Sequence, residues 1–322
     1  MTFIDFFAGI GGFRKGMELA GHKCVGFCEI DKYAVASYTA MHLCTEEQLE
    51  YLKTLPLKQR QKEILKEEYR NGEWFADDIT RVYAGDIPKA DCWCFGFPCT
   101  DVSISRKRDG LQGKDSSLFF RVMELCNRSE EEDKPAYLFI ENVRNLLVIN
   151  GGWDFARLLS ELDGAGYDAQ WSLFNSKNFR TPQNRERCFI VGRFRRRDTS
   201  KVLSLERTIR EDNLHKVEQI GHINGRNREN LNQYRVYDPN GLSPCLTQMG
   251  GGGREPHIVD PKHTREDGIR KLTPKECFRL MGWPDEYFEK AQLVNSDTQL
   301  YKQAGNGVVV PVIEAIAKGF NG

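Results

Sequence analysis

The chain has 322 residues, with 46 Lys plus Arg against 46 Asp plus Glu, so its formal net charge is zero. No global field marks it as a nucleic-acid binder, and any anionic partner must be met by a local basic patch. Ten cysteines would permit disulfides, but the start MTFIDFFAGIGG has none of the regions of a secretory signal, and no apolar run approaches the roughly 18 residues of a membrane span. A reducing cytosol is the expected setting.

Thr2 to Phe7 reads as a short buried strand, Gly9-Ile10-Gly11-Gly12 as a turn, and Phe13 to Ala20 as a helix that Gly21 ends. Cys24 to Glu29 reads as a second strand, which makes a βαβ opening. The stretch from Glu46 to Glu73, rich in Glu, Lys, Gln and Leu and broken at Pro56, predicts a surface helical hairpin, a solvated decoration before a binding site. Further strands are predicted at Asp91 to Phe95, Tyr137 to Glu141, Gln170 to Phe174 and Cys188 to Gly192, with amphipathic helices between several of them. Such alternation predicts an α/β fold with a parallel sheet covered on both faces. After Arg197, Asn, Gly and Arg crowd the chain as far as Gly268, and the glycines after Met249 break any regular element. A second, smaller domain is expected there.

Glycines between a first strand and helix let a ligand approach backbone N–H groups, and an acid at the end of strand two can hold ribose hydroxyls. Gly9, Gly11 and Glu29 fit that geometry, although a glycine turn can also serve only to pack a helix closely. Arg14 stands where the dinucleotide fingerprint needs a small residue, which disfavours a nicotinamide cofactor. Asp86 could offer a second polar anchor or be an ordinary turn aspartate. In Gly96-Phe97-Pro98-Cys99 the proline helps hold the cysteine out of the sheet at the edge where open α/β sheets bind ligands. Alone, that cysteine reads as an inert turn residue before a nucleophile.

Company changes its reading. Tyr137-Leu138-Phe139-Ile140 delivers Glu141 to the same rim, and a carboxylate after four apolar residues is costly unless used or paired. Arg185 and Arg187 alternate with Glu186, so both arginines face one side of an extended chain. Seven arginines lie between Arg180 and Arg197 and supply the local patch, with a solvated basic face as the alternative for Arg193 to Arg197. The spacings Cys24-x3-Cys28 and Cys92-x-Cys94-x4-Cys99 lack a matched pair or nearby histidines, so no metal site is expected.

The order of motifs resembles the DNA (cytosine-5) methyltransferase family of bacterial or phage restriction-modification type over nearly the whole chain. The residues that carry it are Asp5-Phe6-Phe7-Ala8-Gly9-Ile10-Gly11-Gly12, Gly96-Phe97-Pro98-Cys99, Glu141-Asn142-Val143, Gln183-Asn184-Arg185-Glu186-Arg187, Arg270-Lys271-Leu272-Thr273-Pro274 with Arg279-Leu280-Met281-Gly282, and Gly305-Asn306-Gly307-Val308. The resemblance implies a Rossmann-like methyltransferase sheet that binds S-adenosylmethionine (AdoMet), with a smaller target-recognition domain. Residues 1–197 and 298–322 would form the first, 198–269 the second and 270–297 a hinge or connecting segment, with the segment from Val308 to Lys318 a helix beside the glycine turn.

By position, the cofactor would be lined by Phe7, Ala8, Gly9, Gly11, Gly12, Glu29, Ile30, Asp86, Ile87, Pro98, Asn306 and Val308. Catalysis would fall to Cys99, Glu141, Arg185 and Arg187: a thiolate adding to cytosine C6, a carboxyl holding N3 and the exocyclic amine, Arg187 on O2, and Arg185 supporting the ring or the thiolate. A base inside a duplex must be flipped out to be reached. The polar stretch from Thr100 to Ser117 would be the loop that closes over it, with Ser103 and Arg106 near DNA. Arg226, Arg228, Arg235 and Arg254 have chemistry suited to base edges and phosphates, and Arg226, Arg228 and Arg254 are taken as DNA contacts.

Two departures stand out. Thr100, Asp101 and Val102 precede Ser103 where the family often has Gln, a small residue and Phe, and Cys245 stands where it commonly has threonine. Backbone contact and small-domain packing are both open for Cys245. The expected enzyme acts on double-stranded DNA as a cytoplasmic monomer away from membranes, with or without a cognate restriction endonuclease. An RNA-acting relative, a nicotinamide oxidoreductase and a non-catalytic DNA-binding module are the competing readings.

Overall fold

The structure, a computed structural model, describes residues 1–97, 117–197, 216–223, 233–249, 254–262 and 268–321. Its first lobe opens with β1 (Thr2–Phe6), α1 (Gly12–Leu19), β2 (Lys23–Cys28) and α2 (Lys32–His42). There follow α3 (Glu46–Lys53), α4 (Leu57–Glu63), β3 (Trp74–Ala76), β4 (Cys92–Phe95), α5 (Ser117–Arg128), β5 (Tyr137–Val143), α6 (Trp153–Gly164), β6 (Tyr167–Asn175) and β7 (Glu186–Phe194). The seven strands lie in the order β3-β2-β1-β4-β5-β7-β6.

The central strands β4 and β5 are apolar on both faces through Phe95 and Ile140, as expected where both faces are covered. The period of two sorts them into two layers. Phe3, Cys92, Cys94, Tyr137 and Phe139 face one apolar layer, while Ile4, Phe6, Trp93, Phe95, Leu138 and Ile140 face the other. The expected all-parallel sheet is corrected at one strand: β7 runs antiparallel to both β5 and β6. No α-helix lies between β6 and β7, so the chain folds straight back instead of crossing over. That reversal matters, because it brings the start of β7 to the carboxyl end of β5.

The segment from Glu46 to Glu73 is more than a solvated decoration. Leu49, Leu52, Ile64 and Tyr69 are buried with Ala36 and Ala40 of α2, and Thr45 with Gln48 forms a capping box that starts α3. A second sheet of four short strands, β8 (Gln219–His222), β9 (Arg235–Tyr237), β10 (His257–Val259) and β11 (Ile269–Lys271), is ordered β11-β10-β9-β8. After it come α7 (Pro274–Leu280), α8 (Asp285–Val294), α9 (Asp297–Asn306) and α10 (Val310–Ala317). Helix α8 packs on α2, and α10 returns to α1, where a Cβ on Gly16 would stand 2.5 Å from Ile313 Cβ.

Candidate active site

In open α/β sheets ligands bind outside the carboxyl ends of the strands where the order reverses, here beside β1 and β4. The turn after β1 is wound through left-handed conformations at Phe7 (φ 55°), Gly9 (56°) and Gly11 (83°). Two glycines are required by space: a Cβ on Gly11 would lie 2.5 Å from His42 Nε2, and one on Gly12 would lie 2.6 Å from Val308 Cγ2. Gly9 differs, because a Cβ there meets nothing within 4 Å. Its Cα faces open space, and its N–H donates to Glu29 Oε2 at 2.7 Å. Glu29 Oε1 accepts from Asp31 N at 2.7 Å, and burial pushes the Glu29 carboxyl above its ordinary pKa despite these donors.

This cradle fits a nucleoside cofactor. It offers open space over a left-handed glycine, an oriented acid at the end of β2, and Ile30 beside that acid, an apolar side chain 75% exposed. Ala8 is buried, with its N–H on Cys28 O at 3.1 Å, and Val308 walls Gly12. Asn306 ends α9 with its side chain exposed, and Ile87 is half-buried against the second apolar layer.

Asp86 is exposed, at the end of the 3-10 turn Ala84–Asp86. The acids that β3 delivers to the carboxyl edge are Asp77 and Asp78. Ala76 O accepts from Glu29 N at 3.1 Å, and after burial and Glu29, Asp78 and Asp77 help raise the Cys28 thiol. Asp78 is oriented by Thr80, whose N–H and hydroxyl donate to Oδ1 at 2.9 and 2.7 Å. Sequence reasoning missed these acids because a strand of three residues has almost no periodicity to detect. The usable signal was an acid pair directly after Trp74-Phe75-Ala76.

The second half of the site stands at the carboxyl end of β5. Glu141 follows four fully apolar residues, and β7 places Arg187 opposite Val143, one step along the same edge. Arg187 Nε lies 3.1 Å from Glu141 Oε1, with the two side chains only 18% and 12% exposed. The other nitrogens of Arg187 donate to Glu186 O at 2.8 Å and to Cys245 Sγ at 3.7 Å. Gly96 closes in from the end of β4, where a Cβ would stand 3.2 Å from Glu141 Oε2. Asn142 Nδ2 donates to Phe97 O at 3.2 Å, so β5 also holds the chain just as it leaves β4.

Arg185 reaches the same sulfur by a different route. It is buried, with Nη1 donating to Cys245 Sγ (3.5 Å), Leu246 O (2.7 Å) and Gly305 O (3.3 Å), and Nη2 to Gly307 O (2.8 Å). Burial and then Arg187 lower its pKa. Burial pushes the Cys245 thiol up, yet Arg185 and Arg187 outweigh it and the thiol ionises below its ordinary range. Cys245 also lines a cavity of about 230 Å³ together with Arg235, Tyr237, Thr247, Arg254 and Glu255.

The seven-arginine patch is corrected by the antiparallel course of β7. Arg185 and Arg187 lie at the carboxyl edge, while Arg195 pairs with Asp163 and Asp168, and Arg196 with Glu131, at the opposite end of the strand. Pro98, Cys99, Ser103, Arg106, Arg226 and Arg228 lie outside the described residues. Among the described residues no group of three or more His, Cys, Asp or Glu could hold a metal ion, and no helix is long and apolar enough to cross a membrane.

Comparison with known proteins agrees with this layout. The family model for C-5 cytosine-specific DNA methylase matches residues 1–56, 55–240 and 204–321. The chain is similar to the type II methyltransferase M.Bsp6I of Bacillus sp. (strain RFL6), at 31% identity over 98% of this chain and 96% of the relative. It is equally similar to M.HpaII of Haemophilus parainfluenzae, at 31% identity over 98% and 88%. Among solved structures, S. pombe Dnmt2 methyltransferase superposes with a TM-score of 0.66 at 17% identity over 98% of this chain and 96% of that one. A likeness at that identity speaks for the fold.

Proposed function

The chain belongs to the C-5 cytosine-specific DNA methylase family, and from that premise we propose that it methylates C5 of a flipped-out cytosine within a specific sequence of double-stranded DNA through a covalent Cys99–C6 bond. AdoMet, when bound, supplies an electrophilic sulfonium methyl group. The turn from Phe7 to Gly12 and Glu29 hold it by the backbone and the ribose, and Asp78 takes the place expected of Asp86 as the polar anchor beside Glu29.

Cytosine C5 is a weak nucleophile. Addition of the Cys99 thiolate to C6 turns the ring into an enamine, whose C5 takes the methyl group. Glu141 holds N3 and the exocyclic amine and shares the proton that N3 gains as negative charge develops. Arg187, fixed by Glu141, Glu186 O and Cys245, binds O2. Loss of the C5 proton then expels Cys99 and restores aromaticity. Target recognition falls to the small lobe, in which Arg254 lines the cavity beside Cys245 and Arg226 and Arg228 serve as further DNA contacts. The enzyme works in the cytoplasm as a monomer, and its action requires no bound endonuclease.

The observation that carries this reading is the Glu141–Arg187 pair, set against Gly96 three residues before Cys99. Duplex DNA with 5-fluorocytosine at a target mapped by bisulfite sequencing is the test. With AdoMet the intact protein should be trapped covalently, and Cys99→Ala should bind AdoMet without trapping DNA. Transfer to tRNA alone in a parallel assay would move the chain to an RNA substrate, and intact protein that turns over without trapping would remove the covalent step.

A further inference from the structure

Gln183, Arg185 and Arg187 recur at every second residue, and all three side chains point into the seam between the two lobes. Gln183 is fully buried; its Oε1 accepts from Leu246 N at 3.2 Å and its Nε2 donates to Leu280 O at 3.0 Å. Arg185 takes the carbonyl of the same residue, Leu246 O, and adds Gly305 O and Gly307 O from the end of α9. Leu246 is therefore gripped at both its N–H and its carbonyl by side chains two residues apart. Only Arg187 of the three carries its guanidinium into the Glu141 pocket.

Arg187 meets the Glu141 carboxylate directly, whereas Arg185 donates to backbone carbonyls and Cys245. Both terminal nitrogens of Arg185 are turned to carbonyls of the 243–247 segment and the end of α9, and its Nε is buried, so what the guanidinium grips is the chain around it. The turn it grips is tightly confined. A Cβ on Gly305 would stand 1.8 Å from Thr247 O, so two backbones touch there, and on the far side Val308 presses on Gly12 of the cofactor turn. One buried cation, two residues before Arg187, thus joins the 243–247 segment to the 305–308 turn. Cys245 Sγ, within 3.5 Å of Arg185 and 3.7 Å of Arg187, lies between the two like charges.

We propose that Arg185 is a positioning residue that fastens the 243–247 segment and the 305–308 turn to the start of β7, setting both the Arg187 guanidinium and the wall of the cofactor pocket without touching the base. The cofactor arm of this proposal rests on the AdoMet reading above; the fastening itself does not. Three acceptors on two separate segments need a planar fork, which lysine cannot supply, so Arg185→Lys should keep the charge and lose most of the clamp.

Hydrogen exchange of the ligand-free protein and AdoMet affinity by calorimetry test it on Arg185→Lys and Arg185→Met. Exchange in 243–247 and 304–309 should quicken by about tenfold or more while β1, β4 and β5 stay protected. AdoMet affinity should fall by about tenfold in Arg185→Met and by less in Arg185→Lys. Unchanged exchange and unchanged AdoMet affinity with turnover lost would return Arg185 to the base and overturn the proposal. Faster exchange throughout both variants would overturn it as well, by making Arg185 a general packing residue. Should the wild-type protein fail to bind AdoMet, the functional reading falls, and the exchange result still decides the clamp.

Discussion

One added carbon at Gly96 tests whether the Glu141 carboxylate must stand where it does. A Cβ there would lie 3.2 Å from Glu141 Oε2, closer than ordinary contact, which begins at 3.4 Å, while its next neighbours, Glu141 O at 3.7 Å and Phe13 Cε2 at 3.9 Å, are undisturbed. The carboxylate end is the partner that can yield, by a few tenths of an ångström. Its other oxygen sits 3.1 Å from Arg187 Nε, so the shift is passed directly to the ion pair. Overpacking costs about 1–3 kcal/mol, and a single tight contact belongs at about 1 kcal/mol, or about 2 °C in melting temperature for a chain of this length. A misplacement of about 1 Å can cost about 100-fold in rate, so a few tenths should cost Gly96→Ala about five- to tenfold in kcat/KM. Initial rates of methyl transfer to duplex DNA, read beside thermal melts, measure both. Gly85→Ala is the control, because a Cβ there meets nothing within 4 Å and its φ is ordinary. Wild-type kcat/KM in Gly96→Ala, or an equal loss in Gly85→Ala, would refute the argument that the carboxylate's position is set by the missing side chain.

Gly305→Ala should be far more damaging to the fold, by about 3 kcal/mol in a denaturant melt, since its Cβ would meet a backbone carbonyl at 1.8 Å and two main chains would have to part. His42 Nε2 donates to Ile10 O (3.0 Å), and burial and then Arg14 hold its pKa well below the ordinary value. The folded state keeps it neutral while the unfolded chain takes up a proton below about pH 6.5, so its stability contribution is present above that pH and declines as the pH falls, by up to about 1.4 kcal/mol per pH unit. His42→Gln should flatten that acid limb in melts between roughly pH 5 and 6.5. In a Cys99→Ser background, peptide mapping after brief iodoacetamide treatment should find Cys245 alkylated first among the described cysteines. Its thiol is depressed by two arginines, whereas half-buried Cys44 is pushed up to about 12 by burial.

What could be read from the sequence was what the chain repeats at short range. The first strand, turn, helix and strand were legible because an apolar run, three glycines and an amphipathic stretch follow one another, and β4, β5 and β7 announce themselves as apolar runs ending in Gly96, Glu141 and Gly192. The direction of β7 was not legible, because a strand's own residues do not record which neighbour it pairs with. The absence of helical periodicity between Phe174 and Arg185 was the one available hint. Small-lobe strands of three and four residues fall below the length at which alternation can be told from chance. For the same reason β3, and with it Asp77 and Asp78, stayed hidden behind the more conspicuous Gly85-Asp86-Ile87. The shared face of Arg185 and Arg187 was correctly inferred from alternation, but their division of labour depends on carbonyls of Leu246, Gly305 and Gly307, distant in sequence.

Arg14 shows how a departure from one pattern becomes the foundation of another. A small residue at that position would let the first helix settle closely on the sheet. Here the close approach is moved to Gly16, where the helix meets Ile313 of the returning α10. Arg14 instead turns toward α2 and the segment from Glu46 to Glu73, with Nη1 2.6 Å from Glu73 and 3.1 Å from Tyr38 OH and Nε 2.9 Å from Glu18. Burial opposes its charge, but Tyr38, Cys24, Glu73 and Glu18 together hold the guanidinium more firmly protonated than usual. Its backbone N–H meanwhile donates to Asp5 Oδ2, tying the start of α1 to β1 beneath the glycine turn. A buried ion pair of this kind adds little net stability over apolar packing, while loss of one partner costs about 3–5 kcal/mol. The segment from Glu46 to Glu73 therefore cannot be removed as a surface ornament: Glu73, at its end, is the counter-ion of a buried cation in α1, the helix that follows the glycine turn.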